Sequence, residues 1–209
     1  METVYLGTGV FATASAVGSI AFALSGFMAG ARKQLDVMGV FILAFLSANG
    51  GGVVRDLIVG RMPAVMHSPL PFWLAAGTVA LALAFRLQRR DSVERHRIFI
   101  VSDAIGLVAF GIAGALVGIE KGLNLFGVVT LSFVTATGGG IARDVLVNDV
   151  PLVLREDFYG SVAILLGVGI SCLHWAGSMS PVSLSLVFAA GLILRLFAHE
   201  RGWRLPRVD

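Results

Sequence analysis

The sequence predicts an all-α polytopic membrane protein with seven transmembrane helices, arranged as two inverted three-helix repeats plus a seventh helix. Three observations predict this class. Of the 209 residues, 56% are apolar and only 14% are charged, whereas about a quarter of an ordinary soluble domain is charged. The apolar residues form runs long enough to cross a bilayer, and one glycine-rich motif occurs twice. This composition excludes a soluble globular fold and a disordered chain.

Seven apolar runs, separated by charged stretches, each predict one transmembrane helix. They cover residues 7–30, 37–59, 69–87, 98–119, 123–147, 158–176 and 181–199. The first run has no basic residues before it and is too long for the core of a signal peptide, so we expect a helix of the mature protein. Ser68-Pro69 and Ser180-Pro181 each place a capping residue before proline, which is typical of a helix start.

The basic residues predict the orientation in the membrane. Of the 16 Lys and Arg residues, Arg55 and Arg143 lie inside predicted spans. Only Arg61 and Lys121 lie in loops on one side, and the other twelve, with Arg86 and Arg195 at the ends of their spans, are counted on the opposite side. The positive-inside rule therefore places the C-terminus in the cytoplasm and the N-terminus outside. Because the net charge of +3 is explained by topology, we expect no nucleic-acid partner.

The second half of the chain repeats the first at a constant offset. The motif Gly-Gly-Gly-Val-Val-Arg-Asp at residues 50–56 recurs as Gly-Gly-Gly-Ile-Ala-Arg-Asp at residues 138–144. Each repeat contains three helices, an odd number of membrane crossings. The second repeat therefore enters the membrane from the opposite side, which makes the repeats inverted. We expect one transmembrane domain over residues 1–209, with repeat one at about 7–87, repeat two at about 98–176 and the seventh helix at about 181–199.

Each glycine triplet lies inside a predicted span, the second and the fifth, where glycine weakens the helix. A glycine in a helix interior costs about 1 kcal/mol relative to alanine, and backbone groups freed in lipid need new partners. We therefore expect both spans to be broken at the triplets and to line a polar path. Tight helix packing is the alternative. The pore or hinge candidates are Gly50, Gly51, Gly52, Gly138, Gly139 and Gly140.

An arginine and an aspartate follow each triplet inside the span. A charge there costs at least about 2.5 kcal/mol, so these side chains are expected to face a polar interior. Because neighbouring residues on a helix point about 100° apart, each arginine is expected to pair with another helix rather than with the next aspartate. Arg55, Asp56, Arg143 and Asp144 are assigned as pore charges or a gate, with a structural ion pair as the alternative.

Polar residues near the triplets complete the predicted site. A helix that ends at a triplet presents carbonyl oxygens, whose partial negative charge suits a cation. Asn49 and Thr137 directly precede the glycines and are assigned as polar pore residues. Asp103 has no counterpart in repeat one, where Ser15 takes its place. It is either a counter-charge for one arginine or an interfacial residue.

The paired Gly-Gly-Gly-x-x-Arg-Asp motifs, each followed by a proline (Pro63 and Pro151), resemble the bacterial branch of the trimeric intracellular cation channels, the TRIC family. The resemblance covers about residues 5–200. It implies a homotrimer in the bacterial inner membrane with one pore per subunit, permeable to monovalent cations such as K⁺ or Na⁺. It also implies that the second and fifth helices are kinked at the glycines and line the pore, with Arg55 and Arg143 as pore-side basic residues.

The resemblance implies no cofactor; membrane lipids are the expected surroundings, and a bound lipid is left open. The alternative function is a secondary transporter of a small solute such as an amino acid, because inverted repeats with broken helices also suit alternating access. We expect no enzyme and no metal site. No predicted span pairs a nucleophilic serine with a histidine base, and inverted symmetry sends Asp56 and Asp144 toward opposite faces.

Overall fold

The computed structural model describes residues 9–155 and 158–203, and in these residues it is all-α, which confirms the predicted class. The helices are α1 (Val10–Arg32), α2 (Val37–Ile58), α3 (Ala64–His67), α4 (Leu70–Ala84), α5 (Ser92–Glu120), α6 (Leu125–Leu146), α7 (Leu152–Arg155), α8 (Tyr159–Trp175) and α9 (Pro181–Glu200). A short 3-10 helix, Leu87–Arg89, precedes α5. The helices α3 and α7, of four residues each, were not predicted.

Seven of these helices match the predicted apolar runs. Five of them, α1, α2, α5, α6 and α9, are long and apolar enough to cross a membrane. The helices α4 and α8 have 15 and 17 residues, fewer than the roughly 20 of an untilted span. The start of the fourth run was predicted too late, because α5 begins at Ser92 rather than at residue 98. Its first turn is polar, and Asp91 caps it by accepting a hydrogen bond from the Glu94 amide.

Side-chain caps explain where several helices begin. Ser180 accepts a hydrogen bond from the Ser183 amide in a reciprocal capping box, as the Ser-Pro pattern predicted. Asp36 caps α2 through the Gly39 amide, and Asn124 caps α6 in the same way. These two caps lie 88 residues apart, so the repeat extends to the helix starts.

The helices of the two repeats pack against their counterparts in a reciprocal pattern. A Cβ atom added to Gly18 in α1 would lie 3.1 Å from the Phe110 ring, and one added to Gly106 in α5 would lie 2.3 Å from the Phe22 ring. The two rings also touch, with centroids 5.5 Å apart. The glycine of each repeat therefore packs against the phenylalanine of the other repeat. A two-fold axis between the repeats produces this pattern.

The core of the protein lies along these pairs. The helix α1 packs on α5 and α2, the helix α2 packs on α6, and α5 also packs on α6. Most of α5 is buried, because α8 and α9 cover the side that α1 and α6 leave open. The helix α4 packs on α1 and α2. This arrangement brings both glycine triplets to the crossing of α2 and α6.

An ion-pair cluster ties the end of α1 to the loop after α6. Asp149 accepts hydrogen bonds from Arg32 and, at 2.8 Å, from the Nζ atom of Lys33. The Lys33 hydrogen bond and the charges of both basic residues lower the pKa of Asp149 below its usual value. Because the folded-state pKa is lowered, the stabilisation is present above the unfolded pKa of about 4 and is lost as pH falls through the folded-state value.

Replacing Asp149 with asparagine is therefore expected to lower the stability at pH 7 by less than about 1 kcal/mol, because the side chains remain partly exposed. The difference between wild type and variant should shrink as pH falls below about 4, because the stabilisation is lost as pH passes through the lowered pKa of Asp149. Thermal unfolding in detergent between pH 7 and pH 3 measures it. A difference of the same size at pH 3 would contradict the assignment.

Candidate functional site

The α-helical conformation continues through both glycine triplets. The helix α2 runs from Val37 to Ile58 and α6 from Leu125 to Leu146 without interruption. The predicted break of the helices at residues 50–52 and 138–140 is therefore wrong. Breaking a helix in hydrocarbon leaves backbone groups without partners at several kcal/mol each, whereas three glycines in a continuous helix cost only about 1 kcal/mol each.

The triplets lie where α2 and α6 cross in close backbone contact. A Cβ atom added to Gly51 would lie 2.1 Å from the carbonyl oxygen of Thr135, and one added to Gly139 would lie 2.1 Å from that of Ser47. Real Cβ atoms do not approach that closely, so both positions require glycine. Gly138 is also tight, with its added Cβ 3.0 Å from the Cα of Gly51. The packing alternative therefore describes these positions.

The third glycine of each triplet has a different environment. The nearest atom to a Cβ added at Gly52 is Nη2 of Arg55, at 3.7 Å, and Gly52 lines a cavity. A Cβ added at Gly140 would lie 3.1 Å from the hydroxyl of Tyr159. Gly50 is intermediate, with its added Cβ 3.4 Å from the Cα of Gly139. Each triplet thus uses its central glycine for the crossing and its last glycine to face the side chains beyond it.

Arg143 in α6 lies at the centre of a fully buried charge cluster. Its Nε donates to Oδ1 of Asp144 at 2.8 Å, and its Nη1 donates to Oδ1 of Asp103 at 2.5 Å and to Oγ of Ser25 at 2.8 Å. The guanidinium carbon lies 4.6 Å from the centroid of the Phe99 ring. The other carboxylate oxygen of Asp144, Oδ2, accepts a hydrogen bond from a backbone amide of α7. One guanidinium is therefore shared by two carboxylates from α5 and α6.

Arg55 in α2 has a different set of neighbours, although the repeat places it as the counterpart of Arg143. Its Nε donates to Oδ1 of Asp56 at 2.9 Å, and Nη2 of Arg61 donates to the same oxygen at 2.7 Å. The Phe11 ring lies 5.3 Å from the guanidinium carbon of Arg55. Oδ2 of Asp56 accepts from the Ala64 amide. Here one carboxylate is shared by two guanidiniums.

Both arginines pair with the next residue in the chain, so the expectation against that pairing is wrong. The angle of about 100° separates the Cα–Cβ directions, but the long arginine side chain turns back far enough for Nε to reach the neighbouring carboxylate. Arg143 also has the expected partner on another helix. This contact decides between the two alternatives for Asp103, which is a counter-charge for Arg143.

A cavity of about 360 Å³ opens beside Arg55, and we call it the Arg55 cavity. It lies between the start of α1, the end of α2 and the start of α4. Its polar and charged lining residues are Ser15, Ser19, Asn49, Arg55, Asp56, Arg61, His67 and Ser68. Both predicted polar residues are buried, and each donates at 2.8 Å to the carbonyl four residues earlier, Asn49 to Phe45 and Thr137 to Phe133. Asn49 also lines the Arg55 cavity.

A second cavity, of about 290 Å³, lies toward the other end of α1, and we call it the Phe99 cavity. It is lined by Met28, Ala29, Arg32, Ser92, Arg95, His96 and Phe99. The Phe99 ring lines this cavity and also contacts the guanidinium of Arg143. The two cavities therefore lie at opposite ends of α1; Arg55 lines the first, and the Phe99 ring connects the second to Arg143.

Sequence reasoning missed several residues of the two clusters. The offset of 88 pairs Phe11 with Phe99, and both rings contact the arginine of their own repeat. That signal was available in the sequence. Tyr159 and Arg195 were also missed: the guanidinium of Arg195 lies 4.8 Å from the Tyr159 ring, and both side chains are buried. Arg195 belongs to α9, outside the repeats, so the duplication gave no indication of it.

Comparison with known proteins shows the family to which this chain belongs. The family model described as "Glycine transporter" matches twice, at residues 12–87 and 100–175. The chain is 33% identical over 193 residues to the UPF0126 membrane protein YvgT of Bacillus subtilis, covering 92% of this chain and 93% of that protein. It is 36% identical over 198 residues to a UPF0126 membrane protein of Deinococcus radiodurans, covering 91% and 88%.

Solved structures with the same fold are TRIC channels. A prokaryotic TRIC channel crystallised in 0.5 M KCl has a TM-score of 0.86 at 29% identity, over 94% of this chain and 98% of that one. A TRIC cation channel solved to explain conductance has a TM-score of 0.80 at 33% identity, over 96% and 98%. These relatives are membrane proteins and channels, not enzymes. The chain is therefore an integral membrane protein that belongs to the bacterial TRIC family.

Proposed function

We propose that the protein is a cation channel of the bacterial inner membrane that conducts K⁺ through a pore in each subunit of a homotrimer. The observation that carries this proposal is the pair of cavities at opposite ends of α1, one lined by Arg55 and Asp56 and the other by Phe99, whose ring contacts Arg143. The likeness to TRIC channels supports it. The proposed path enters by the Arg55 cavity and leaves by the Phe99 cavity, and it needs no cofactor.

Arg143 is the proposed gate of this path. Its guanidinium occupies the carboxylates of Asp103 and Asp144, which are the groups that a permeant cation would use. A cation can reach them only when the guanidinium moves away. Arg143 thus acts as a tethered cation that competes with the permeant ion, and Arg55 and Asp56 set the charge at the opposite entrance.

The triplet glycines that lie at the crossing, above all Gly51 and Gly139, are proposed to allow α2 and α6 to move against each other. The crossing has backbone contacts at Gly51 and Gly139, which carry no side chains that would have to repack when the helices shift. Small residues at such an interface let the two backbones approach closely. Asn49 is the proposed polar residue of the pore on the Arg55 side, and Thr137 is its counterpart on α6.

The proposed orientation places the N-terminus outside and the C-terminus in the cytoplasm. The Arg55 cavity then opens outside, and the Phe99 cavity opens to the cytoplasm. The excess of Lys and Arg on the C-terminal side supports this orientation. Cysteine accessibility labelling at the two ends of the chain tests it. The homotrimer is supported by a similar structure, from Rhodobacter sphaeroides, described as trimeric, and native mass measurement in detergent tests it.

Recording from planar bilayers tests the proposed conduction. Purified protein under a KCl gradient is expected to give unitary currents whose reversal potential moves toward that of K⁺ and away from that of Cl⁻. Replacing KCl with NaCl measures how far Na⁺ also permeates. The absence of unitary currents from protein that is folded and trimeric would overturn the proposal.

The two arginines provide the variant test of the gate. Arg55→Ala is expected to change the unitary conductance, and Arg143→Ala is expected to raise the open probability, because each removes a charge from the proposed path. Arg89→Ala, at an exposed position in the short 3-10 helix, is the control. If Arg143→Ala does not fold, the double variant with Asp103→Asn replaces it. Unchanged currents in both arginine variants would show that the arginines have a structural role and do not gate the path.

The second candidate function is a secondary transporter of a small solute such as an amino acid. The description of the matching family model as a glycine transporter favours it. Uptake of labelled glycine into liposomes separates the two functions. Saturable, ion-coupled uptake without unitary currents would support the transporter, whereas K⁺ currents without glycine uptake would support the channel.

A further inference from the structure

One nitrogen of the Arg55 guanidinium, Nη1, has no hydrogen-bond partner among residues 9–155 and 158–203. The arginine is only 4% exposed, and it lines the Arg55 cavity. Its Nε and Nη2 both contact Oδ1 of Asp56, at 2.9 and 2.8 Å. A buried charged donor is costly to leave without an acceptor. Nη2 of Arg143 is also without a partner among these residues, but Arg143 does not line the Arg55 cavity, so Nη1 of Arg55 is the unpartnered guanidinium nitrogen at which an acceptor in this cavity could bind.

The charge of the cavity lining indicates the sign of that acceptor. The lining carries two guanidiniums, those of Arg55 and Arg61, and one carboxylate, that of Asp56. Both guanidiniums already share the same carboxylate oxygen. Two guanidiniums against one carboxylate give the lining an excess of positive charge, and an anion would balance it. Glu120, whose charge also acts on Arg55, is exposed at the end of α5 and does not line the cavity.

The second repeat shows which kind of anion fits this position. The same atom of Arg143, Nη1, donates to the carboxylate of Asp103 at 2.5 Å. The residue of repeat one that corresponds to Asp103 is Ser15, at the offset of 88. Ser15 lines the Arg55 cavity, and its Oγ also has no partner among the described residues. Repeat one therefore keeps the donor of the arginine–carboxylate pair, while a shorter side chain and a cavity stand in place of the carboxylate.

We propose that the Arg55 cavity binds a small carboxylate ion, such as acetate or the carboxylate of glycine, with Nη1 of Arg55 and Oγ of Ser15 as donors. The ligand supplies the group that Asp103 supplies in repeat two. A volume of about 360 Å³ is roughly twelve times the share of one water molecule in the liquid. It therefore admits a small carboxylate together with part of its hydration. The site does not depend on conduction, because binding requires no open path.

A pair of substitutions at Ser15 tests the proposal by titrating full-length protein in nanodiscs with acetate. Ser15→Asp places a carboxylate of the chain beside Arg55, as in repeat two, whereas Ser15→Asn adds a neutral side chain of the same size. The aspartate variant is expected to bind acetate at least tenfold more weakly than the asparagine variant. Ser178→Asp, in the exposed turn after α8, adds the same charge away from the site and is expected to bind as wild type does.

The choice of ligands separates a carboxylate site from other binding. Wild-type protein is expected to bind acetate and glycine saturably, and methylammonium, which has a similar size but no carboxylate, is expected not to bind. Equal binding by the two Ser15 variants would overturn the proposal, as would chloride that competes as well as acetate. If Ser15→Asp does not fold, Arg55→Lys replaces it, since lysine keeps the charge but lacks the forked donors. At least tenfold weaker binding is then expected, and unchanged binding would overturn the proposal.

Discussion

Replacing Arg143 with alanine is expected to lower the free energy of unfolding by about 3–5 kcal/mol, the range seen when one partner of a buried ion pair is removed. The substitution leaves the carboxylates of Asp103 and Asp144 buried without their shared guanidinium. It also removes the donor to Oγ of Ser25 and the cation over the Phe99 ring. Unfolding in mixed micelles of detergent and sodium dodecyl sulfate measures the loss.

Arg55→Ala is the matched control for this loss, and it is expected to cost clearly less. Asp56 keeps its hydrogen bonds from Arg61 at 2.7 Å when Arg55 is removed. Adding Asp103→Asn to Arg143→Ala is expected to recover part of the stability, because it removes one of the two uncompensated charges. Equal losses for the two single variants would show that the clusters do not differ as the contacts indicate.

Replacing Gly51 or Gly139 with alanine is expected to force α2 and α6 apart. The added Cβ atom would lie 2.1 Å from a backbone carbonyl oxygen of the facing helix, at Thr135 or Ser47. A backbone atom cannot rotate away as a side chain can. We therefore expect the free energy of unfolding to fall by about 3 kcal/mol or more, which is the upper end of the range for overpacking. The measurements are the yield of monodisperse protein and its thermal stability.

Gly52→Ala belongs to the same triplet and distinguishes packing from hinge function. Its added Cβ meets only Nη2 of Arg55, at 3.7 Å, so the substitution is expected to be tolerated or slightly stabilising. A hinge would require the backbone freedom of all three glycines. If Gly52→Ala were as damaging as Gly51→Ala, the close crossing would not be the reason for the triplet.

The sequence predicted the class of the protein, the seven apolar helices and the positions of the repeated motif. These properties depend on composition and on local spacing, because a bilayer requires runs of apolar residues and a duplication repeats residues at one offset. The predicted capping of α9 by Ser180 is of the same local kind. The conformation at the glycines was predicted wrongly, since the cost of glycine is local whereas its benefit, close approach, depends on the helix that crosses it.

The sequence by itself thus determined that two arginine–aspartate pairs lie inside a membrane-spanning chain. Only the tertiary structure decided what each pair contacts. Arg143 meets Asp103 from α5 and is sealed, while Arg55 meets Arg61 and the Arg55 cavity. The physical reason is that a buried charge is stabilised by whichever groups the fold brings within hydrogen-bond distance. Those groups come from helices far apart in the chain, and one difference between the repeats, Asp103 against Ser15, separates a closed cluster from an open one.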